Sequence, residues 1–487
     1  MRAMLLRKMA RAPFSLYRHV AGRFRSAVQE HRPAPVGKDA PLRFCSSFWT
    51  ESVLGMDGKF RFCCRNNTVL GNWIEEGLES VWHSATAREF RRKAARGEFP
   101  NDDCRRCHRV GAAYPLGRPL ASPLFRHVAV LEQRLGEPLP NLAAMRLLFD
   151  KVEFDDEACA ILEEYGGALA RIARGCEASD EETRRSVTKL RLLEQVVRSF
   201  LTGDETPPVV APSREVNLIA VCNARCIHCP GLHAGQLDKG VEVAPGVRAK
   251  YIDPRHLDQA MALDQHIFEF WGNGTEFLLY PKWKEICRRL AASGVVLSVS
   301  TNGIALTSDA VHTLIDSQVL GHLNVSIDGA TRETIEAVRV NVKYDRLVTQ
   351  VRYLIDYARR KGYSFALNFT FTFMRRNYRE IPRFVEFVHG LFDGGPALPG
   401  TILFTPLLEG DAPSYLEFLA HQHHSLLDRE ELQRLVLEAS QLCDRYGLQA
   451  YVTYTQSIKD FIAAGYPFPG LPAGVTPSLV PGGLGTV

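Results

Sequence analysis

From about residue 210 the sequence alternates short strand-like runs with longer helix-like ones, a rhythm that constrains the fold to a mainly parallel sheet with crossover helices. The strand-like runs are 216–221, 266–271, 295–300, 322–327, 364–373 and 401–407. Helix-like runs fall at 281–292, 309–318, 344–360, 381–391 and 429–446. Nearly all the strand runs are continuously apolar or β-branched, as parallel strands covered on both faces are. Repeated βα units of this kind fit either a barrel or an open doubly wound sheet.

The rest of the 487-residue chain is too long to belong to the same domain. Residues 40–110 are rich in cysteine and aromatic residues, and residues 120–202 read as helical. There Ser179 and Glu182 have the spacing of a capping box, opening a helix on which Val187, Leu190, Val197 and Leu201 share a face. Residues 202–213, with Pro207, Pro208 and Pro212, form a linker, and the Pro/Gly-rich end from 466 to 487 reads as a tail. These features divide the chain into 1–40, 41–110, 111–205, 206–460 and 461–487.

With 46% hydrophobic and 23% charged residues, composition excludes a disordered or fibrous chain. A net charge of +4 argues against a whole-surface field for nucleic acid. The charge is uneven, because Arg2, Arg7, Lys8, Arg11, Arg18, Arg23 and Arg25 all precede the first acidic residue, Glu30. This segment, with Tyr17, Val20, Phe24 and Val28 at helical spacing, is either a solvated extension or a contact for an anionic membrane surface. No run of about 18 apolar residues is present, so no spanning helix is expected. Gly-x-Gly-x-x-Gly, P-loop and nucleophile-elbow patterns are missing too, so nucleotide and ester hydrolysis have no support.

Eight of the twelve cysteines fall into two sets, Cys45/Cys63/Cys64/Cys104/Cys107 and Cys222/Cys226/Cys229. Such grouping in a large chain indicates metal or cluster binding in a reducing cytoplasm rather than disulfides. Cys159, Cys176, Cys287 and Cys443 stand singly and read as core thiols. The second set lies in Cys-Asn-Ala-Arg-Cys-Ile-His-Cys, directly after the first strand. Three thiolates on one short loop can ligate three irons of a cubane and leave the fourth iron open to a small molecule. A structural zinc site wants a fourth ligand, and His228, between two of the thiols, is badly placed to supply it.

This loop resembles the signature of the radical S-adenosylmethionine superfamily. Three later strand ends resemble the family's pattern as well. Gly272, Gly274 and Glu276 are similar to its glycine–glycine–glutamate turn, with Thr275 standing as an extra residue before Glu276. Thr301, Asn302 and Gly303 resemble its threonine–asparagine–glycine turn, and Ser326, Asp328 and Arg339 follow the fourth strand. The resemblance implies a partial (β/α)6 barrel with its site at the carboxyl ends of the strands. It implies a [4Fe-4S] cluster on Cys222, Cys226 and Cys229. S-adenosylmethionine would be held by Gly272, Gly274, Glu276, Thr301, Asn302, Ser326, Asp328 and Arg339, either Thr275 or Glu276 facing its ammonium. Asn377 falls where a ribose or adenine contact is often found. The apolar strands would keep the radical from water, while Trp271 and Tyr280 would pack beside the cofactor turn.

The upstream set has the order of the SPASM or twitch module that carries auxiliary clusters in this superfamily, although the module usually follows the barrel. Asp57-Gly58 marks a hairpin that would bring Cys45 and Cys63 together, with Cys104 and Cys107 completing four ligands. Cys64 is the alternative to Cys63, and a four-cysteine zinc knuckle is the alternative to a second [4Fe-4S] cluster. His421, His423 and His424 read as a helix end rather than a metal site. The implied protein is a cytoplasmic enzyme that cleaves S-adenosylmethionine reductively to a 5′-deoxyadenosyl radical, which abstracts hydrogen from a peptide, protein or carbohydrate-like substrate. A flavodoxin or ferredoxin would supply its electrons. The rival reading is a non-catalytic iron–sulfur protein that binds a partner or carries electrons.

Overall fold

The computed structural model describes residues 45–105, 107, 117–151, 154–175, 180–262, 264–392, 395, 398, 400–407, 412–423, 426–452 and 456–463. The basic N-terminal segment, Cys176, Ser179, His424 and the Pro/Gly-rich stretch from 464 onward lie outside the described residues.

Among the described residues, eleven strands join in one sheet, numbered here in chain order. Those before residue 80 are β1 (Glu51–Leu54), β2 (Lys59–Arg61) and β3 (Gly71–Asn72). The barrel strands are β4 (Ser213–Ile219), β5 (Glu269–Gly274), β6 (Val296–Thr301), β7 (Leu320–Ser326), β8 (Ala366–Thr372) and β9 (Ile402–Thr405). The last two are β10 (Ala450–Val452) and β11 (Gln456–Ser457). From β4 to β9 the spatial order is sequential and every pairing is parallel. A doubly wound sheet requires that order to reverse, whereas right-handed crossovers between sequential neighbours place all their helices on one face. The topology is therefore that of a partial (β/α)6 barrel.

Each crossover helix follows its own local signals. Thr307 caps the helix Ser308–Asp316 by accepting from Ala310 N, and Asp428 does the same for Arg429–Tyr446 through Glu431 N. Gly294, at φ +67°, ends the helix Trp283–Ser293 in the left-handed conformation that glycine adopts without penalty. The helix-facing positions of the strands, among them Leu297, Val299, Leu323, Val325, Leu367 and Phe369, are fully buried. The other face departs from the expectation of strands apolar on both sides. It carries Glu215, Asn217, Trp271, Asn273, Ser298, Ser300, His322, Asn324 and Asn368, because helices cover only one side of a singly wound sheet.

The cysteine-rich module is built into this sheet. β1 and β2 form the expected hairpin, with Gly58 at φ +78° in its turn, and β3 pairs with β2. The other edge of β1 pairs in parallel with β4, from Glu51 opposite Ser213 to Leu54 opposite Val216. Arg91 is fully buried, with its guanidinium 4.4 Å from the Trp82 ring, and donates to the carbonyls of Phe48, Trp82 and Glu205.

The helical segment comprises Gly117–Leu135, Asp156–Gly175 and Glu181–Thr202. The last helix starts one residue later than the capping box implies. Asp180 is its cap, accepting from Thr183 N, while Glu182 pairs outward with Arg134. Buried Lys189 donates to the carbonyls of Asp264, Gln265 and Ile267 just before β5, fastening this segment to the barrel. Cys287 and Cys443 are core thiols as expected, but Cys159 is half-buried and its Sγ faces Glu163. The helix Ile458–Ala463 runs across the expected start of the tail.

Candidate active site

The three-cysteine loop leaves β4 and is stitched to the fourth crossover. Arg225–Cys226 pairs antiparallel with Arg339–Val340, and Ile227 N donates to Val338 O at 3.0 Å. This puts Arg339 beside the thiols. Cys226 is buried and Cys222 and Cys229 are half-buried. Burial pushes the Cys226 thiol up to about 12; Arg339 opposes the rise, while Asp328, Cys222 and Cys229 add to it. Cys222 is likewise raised by burial, opposed by N–H donors from Ala224 and Asn302.

Among the described residues, no three His, Cys, Asp or Glu side chains are drawn together closely enough to grip one ion. A cubane is larger than an ion, and its thiol ligands need donors and counter-charge around them rather than mutual contact. The loop fits that requirement. Amide donors aim at Cys222 Sγ, a buried cation stands beside Cys226, and Arg339 Nε and His228 Nδ1 have no hydrogen-bond partner among the described residues.

Behind the thiols lies a buried ionic cluster. Arg339 Nη1 pairs with Asp328 Oδ2, which also lies 3.3 Å from His228 Nε2, while Asp328 Oδ1 accepts from Thr372 N at 2.6 Å. Burial opposes the charge on Asp328, but Arg339 and then His228 outweigh it and hold the carboxyl well below its usual range. Cys226 and Asp328 in turn keep Arg339 charged in spite of its burial. Asp328 adopts φ +60°, a left-handed conformation that a non-glycine residue holds only when its surroundings fix it. Asn377 is part of that fixing. Its Nδ2 donates to the carbonyls of Asp328 and Thr372 and its Oδ1 accepts from Met374 N, so the amide is committed within the protein instead of facing a ribose or adenine.

Glu276 is completely buried and accepts from Thr301 Oγ1 and Asn302 N, each at 2.8 Å. Burial pushes its carboxyl up to about 7 against those two donors. Thr275, between Gly274 and Glu276, is tied to the strand before the cysteine loop: its N–H donates to Ile219 O and its hydroxyl to Val221 O. A separate bulge at Leu218 lies on β4, where the register shifts between Asn217 and Ile219. Gly274, at φ +121°, passes so close that an added Cβ would stand 2.1 Å from Ile219 O. A Cβ on Gly272 would meet the Phe277 ring at 2.4 Å. Thr301 also accepts from Gly303 N, and the side chain of half-buried Ser326 makes no hydrogen bond among the described residues. Trp271 stacks on His322, and Tyr280 is buried beside Tyr251.

Nothing in the residue pattern marked His228 as a partner for Asp328, nor two further groups. Glu380 accepts from Ala330 N and the hydroxyls of Thr331 and Thr334, fixing the turn after β7. Buried Glu269 accepts from Ser298 and Ser213 and lies 3.4 Å from His322 Nδ1, on the open face of the sheet. The polar strand positions 269, 298 and 322 were the only available signal for this group, and continuous β-branched neighbours obscured them.

In the N-terminal module, Cys63 and Cys104 are buried, Cys45 and Cys107 half-buried, and Cys64 exposed. The chain bends at Phe62 and Cys63, past the end of β2, and this turns Cys63 inward and Cys64 out. Burial and then the charge of Cys45 push Cys104 up to about 12, with Cys107 adding and Asn66 Nδ2, 3.3 Å from its Sγ, opposing. His423 is buried at the end of the helix Pro413–Gln422, as a helix-end residue, and His421 is half-buried on it.

Two stretches of the chain match known family models. Residues 216–388 match the family model of the radical SAM superfamily, and residues 45–108 match the SPASM iron–sulfur cluster-binding domain. An AdoMet-dependent heme synthase of Methanosarcina barkeri is 27% identical over 222 residues, which cover 44% of this chain and 58% of that protein. The solved structure of Streptococcus suis SuiB bound to S-adenosylmethionine superposes with a TM-score of 0.37 at 14% identity, over 60% of each chain. A radical SAM methyltransferase from Sphaerobacter thermophilus gives 0.33 at 14% identity, over 48% of this chain and 64% of that one. The cofactors implied by the two matched domains are S-adenosylmethionine with a [4Fe-4S] cluster, and an auxiliary iron–sulfur cluster. Along the chain, the stretch that matches the SPASM domain precedes the stretch that matches the radical SAM superfamily, and the strands of both join in one sheet.

Proposed function

We propose that the protein is a radical S-adenosylmethionine enzyme acting on a polar substrate bound against the open face of the barrel. The observation that carries this reading is the convergence on one barrel end of Cys222, Cys226 and Cys229 with the Gly274–Glu276 turn, Asn302 and Arg339. When bound, the site cluster and S-adenosylmethionine supply one-electron cleavage to a 5′-deoxyadenosyl radical and hydrogen abstraction from substrate.

The chain's own residues bind and orient. Cys222, Cys226 and Cys229 hold the site cluster, and Cys45, Cys63, Cys104 and Cys107 the auxiliary one. Glu276, tied by Thr301 and Asn302, places a carboxyl near Cys222, where it offsets a cofactor ammonium. Gly274 and Gly272 let the backbone approach closely. Asp328 fixes Arg339 beside the thiols, and the unpartnered Nε of Arg339 is available to a carboxylate. Residues 206–460 with the helix to Ala463 act as the catalytic unit, and residues 41–110 as the auxiliary one.

The rows Glu215–Trp271–Ser298–His322 and Ser300–Asn324–Asn368 hold carboxylate, imidazole, hydroxyl and amide groups but no Lys or Arg. They favour a neutral or amine-bearing hydrogen-bonding substrate, of peptide, protein or carbohydrate type, over an anionic one. The test is iron and sulfide content with EPR after anaerobic reconstitution, alongside release of 5′-deoxyadenosine under reduction. We expect about eight irons in the wild type, about four in the Cys222/Cys226/Cys229→Ala triple variant, and a spectrum changed by S-adenosylmethionine only in the wild type. Zinc without iron, or no 5′-deoxyadenosine from a fully loaded protein, would end this reading.

A further inference from the structure

Each cysteine set contains one sulfur that accepts a hydrogen bond from an asparagine side chain. On the barrel, Asn302 Nδ2 donates to Cys222 Sγ at 3.4 Å, and Ala224 N adds a second donor at 3.4 Å. In the N-terminal module, Asn66 Nδ2 donates to Cys104 Sγ at 3.3 Å. Both carboxamides are fixed in orientation. Asn302 Oδ1 accepts from Ile304 N at 2.9 Å, and its Nδ2 also reaches Asn223 Oδ1 at 2.7 Å. Asn66 Oδ1 accepts from Thr68 N at 2.8 Å and from Asn101 Nδ2 at 3.2 Å, while Asn101 Oδ1 holds Cys104 N at 2.9 Å. The oxygen of each amide is occupied by a donor, so the nitrogen is the end turned to the sulfur.

We propose that Asn302 and Asn66 are redox-tuning residues, each raising the reduction potential of the cluster held by the cysteine it contacts. This rests on the assignment of both cysteine sets as cluster ligands. Reduction adds one electron to a cluster, and the added charge is spread in part over its thiolate sulfurs. An N–H donor stabilises the more negative state, so donors to sulfur raise the potential. Asn302 and Asn66 serve separate cysteine sets, so removing one donor should shift one cluster and leave the other in place.

The experiment is an EPR-monitored redox titration of the anaerobically reconstituted full-length protein, comparing the wild type with Asn302→Leu and Asn66→Leu. The signal perturbed by S-adenosylmethionine marks the barrel cluster. Losing one N–H···S bond is expected to change the reduced-to-oxidised ratio roughly fivefold, which is about 40 mV for a one-electron couple. Asn302→Leu should lower only the barrel midpoint and Asn66→Leu only the other. Unchanged midpoints at full iron content would overturn the proposal. Should a variant lose iron, resonance Raman spectra of the wild type in H2O and D2O remain decisive. Fe–Sγ bands that move on deuteration support the N–H···S bonds, and bands that do not move refute them. Wild type lacking iron in one set would overturn the ligand assignment itself, before any variant is titrated.

Discussion

Glu276 stores a pH dependence. Its carboxyl is pushed up from 4.5 to about 7 in the folded protein, so between those values the folded state binds a proton that the unfolded state has lost. Stability is full below about 4.5 and falls as pH rises through about 7, by roughly 3 kcal/mol from this group alone. Glu276→Gln removes that component. Thermal unfolding of the cofactor-free protein should show the wild type losing more stability than Glu276→Gln between pH 5 and 7.5, and equal losses would refute the burial of the charge. Asp328 and Arg339 behave differently, because each is charged and buried against the other. Asp328→Asn or Arg339→Met alone should cost about 3–5 kcal/mol by stranding a charge, and the double variant should cost less than the two singles together, as measured by chemical denaturation. Cys222, Cys226 and Cys229 stood out in the sequence by their spacing after a strand, and Glu276 and Arg339 through the resemblance to the family's turns. His228, Asn66 and Glu380 did not, since each acts through a partner at least 38 residues away.

Among the elements, the barrel strands and the five helices expected from residue 281 onward lay within a few residues of where hydrophobic runs placed them, whereas the helices Pro254–Ala260 and Arg332–Val338 had no such signal. The helix Ile381–Leu391 matched at both ends. What periodicity could not show is which face of a β-branched strand meets helices, because Thr, Asn and Ser recur between apolar neighbours on both kinds of strand. Nor could it place the bulge. The ladder puts it at Leu218 on β4, and only inter-strand pairing reveals it. Gly274 follows from that ladder. Gly274→Ala drives a Cβ into the Ile219 carbonyl at a φ that L-residues rarely adopt. It should leave the iron content near wild type and weaken the S-adenosylmethionine-induced EPR change at least tenfold in cofactor concentration; an unaltered titration would show that the turn can relax.

For the whole molecule, two modules separate in sequence share one sheet, and no helix among the described residues is long and apolar enough to cross a membrane. Because β1 occupies the edge of β4, a fragment beginning near residue 206 would expose that edge along Ser213–Val216. Such a fragment should aggregate or self-associate on size-exclusion chromatography where the full chain does not, since an unpaired strand edge recruits other chains. A monodisperse fragment would show that the β1–β4 pairing is dispensable.

That same pairing has a temporal side. β1 leaves the ribosome about 160 residues before the strand it must meet. At 5–20 residues per second, the delay is on the order of ten to thirty seconds. Through that interval β2 shields one edge of β1 and nothing of the barrel exists to shield the other. Slower translation would lengthen this exposure without altering the finished protein, so the yield of soluble chain, unlike its stability, should depend on how fast it is made.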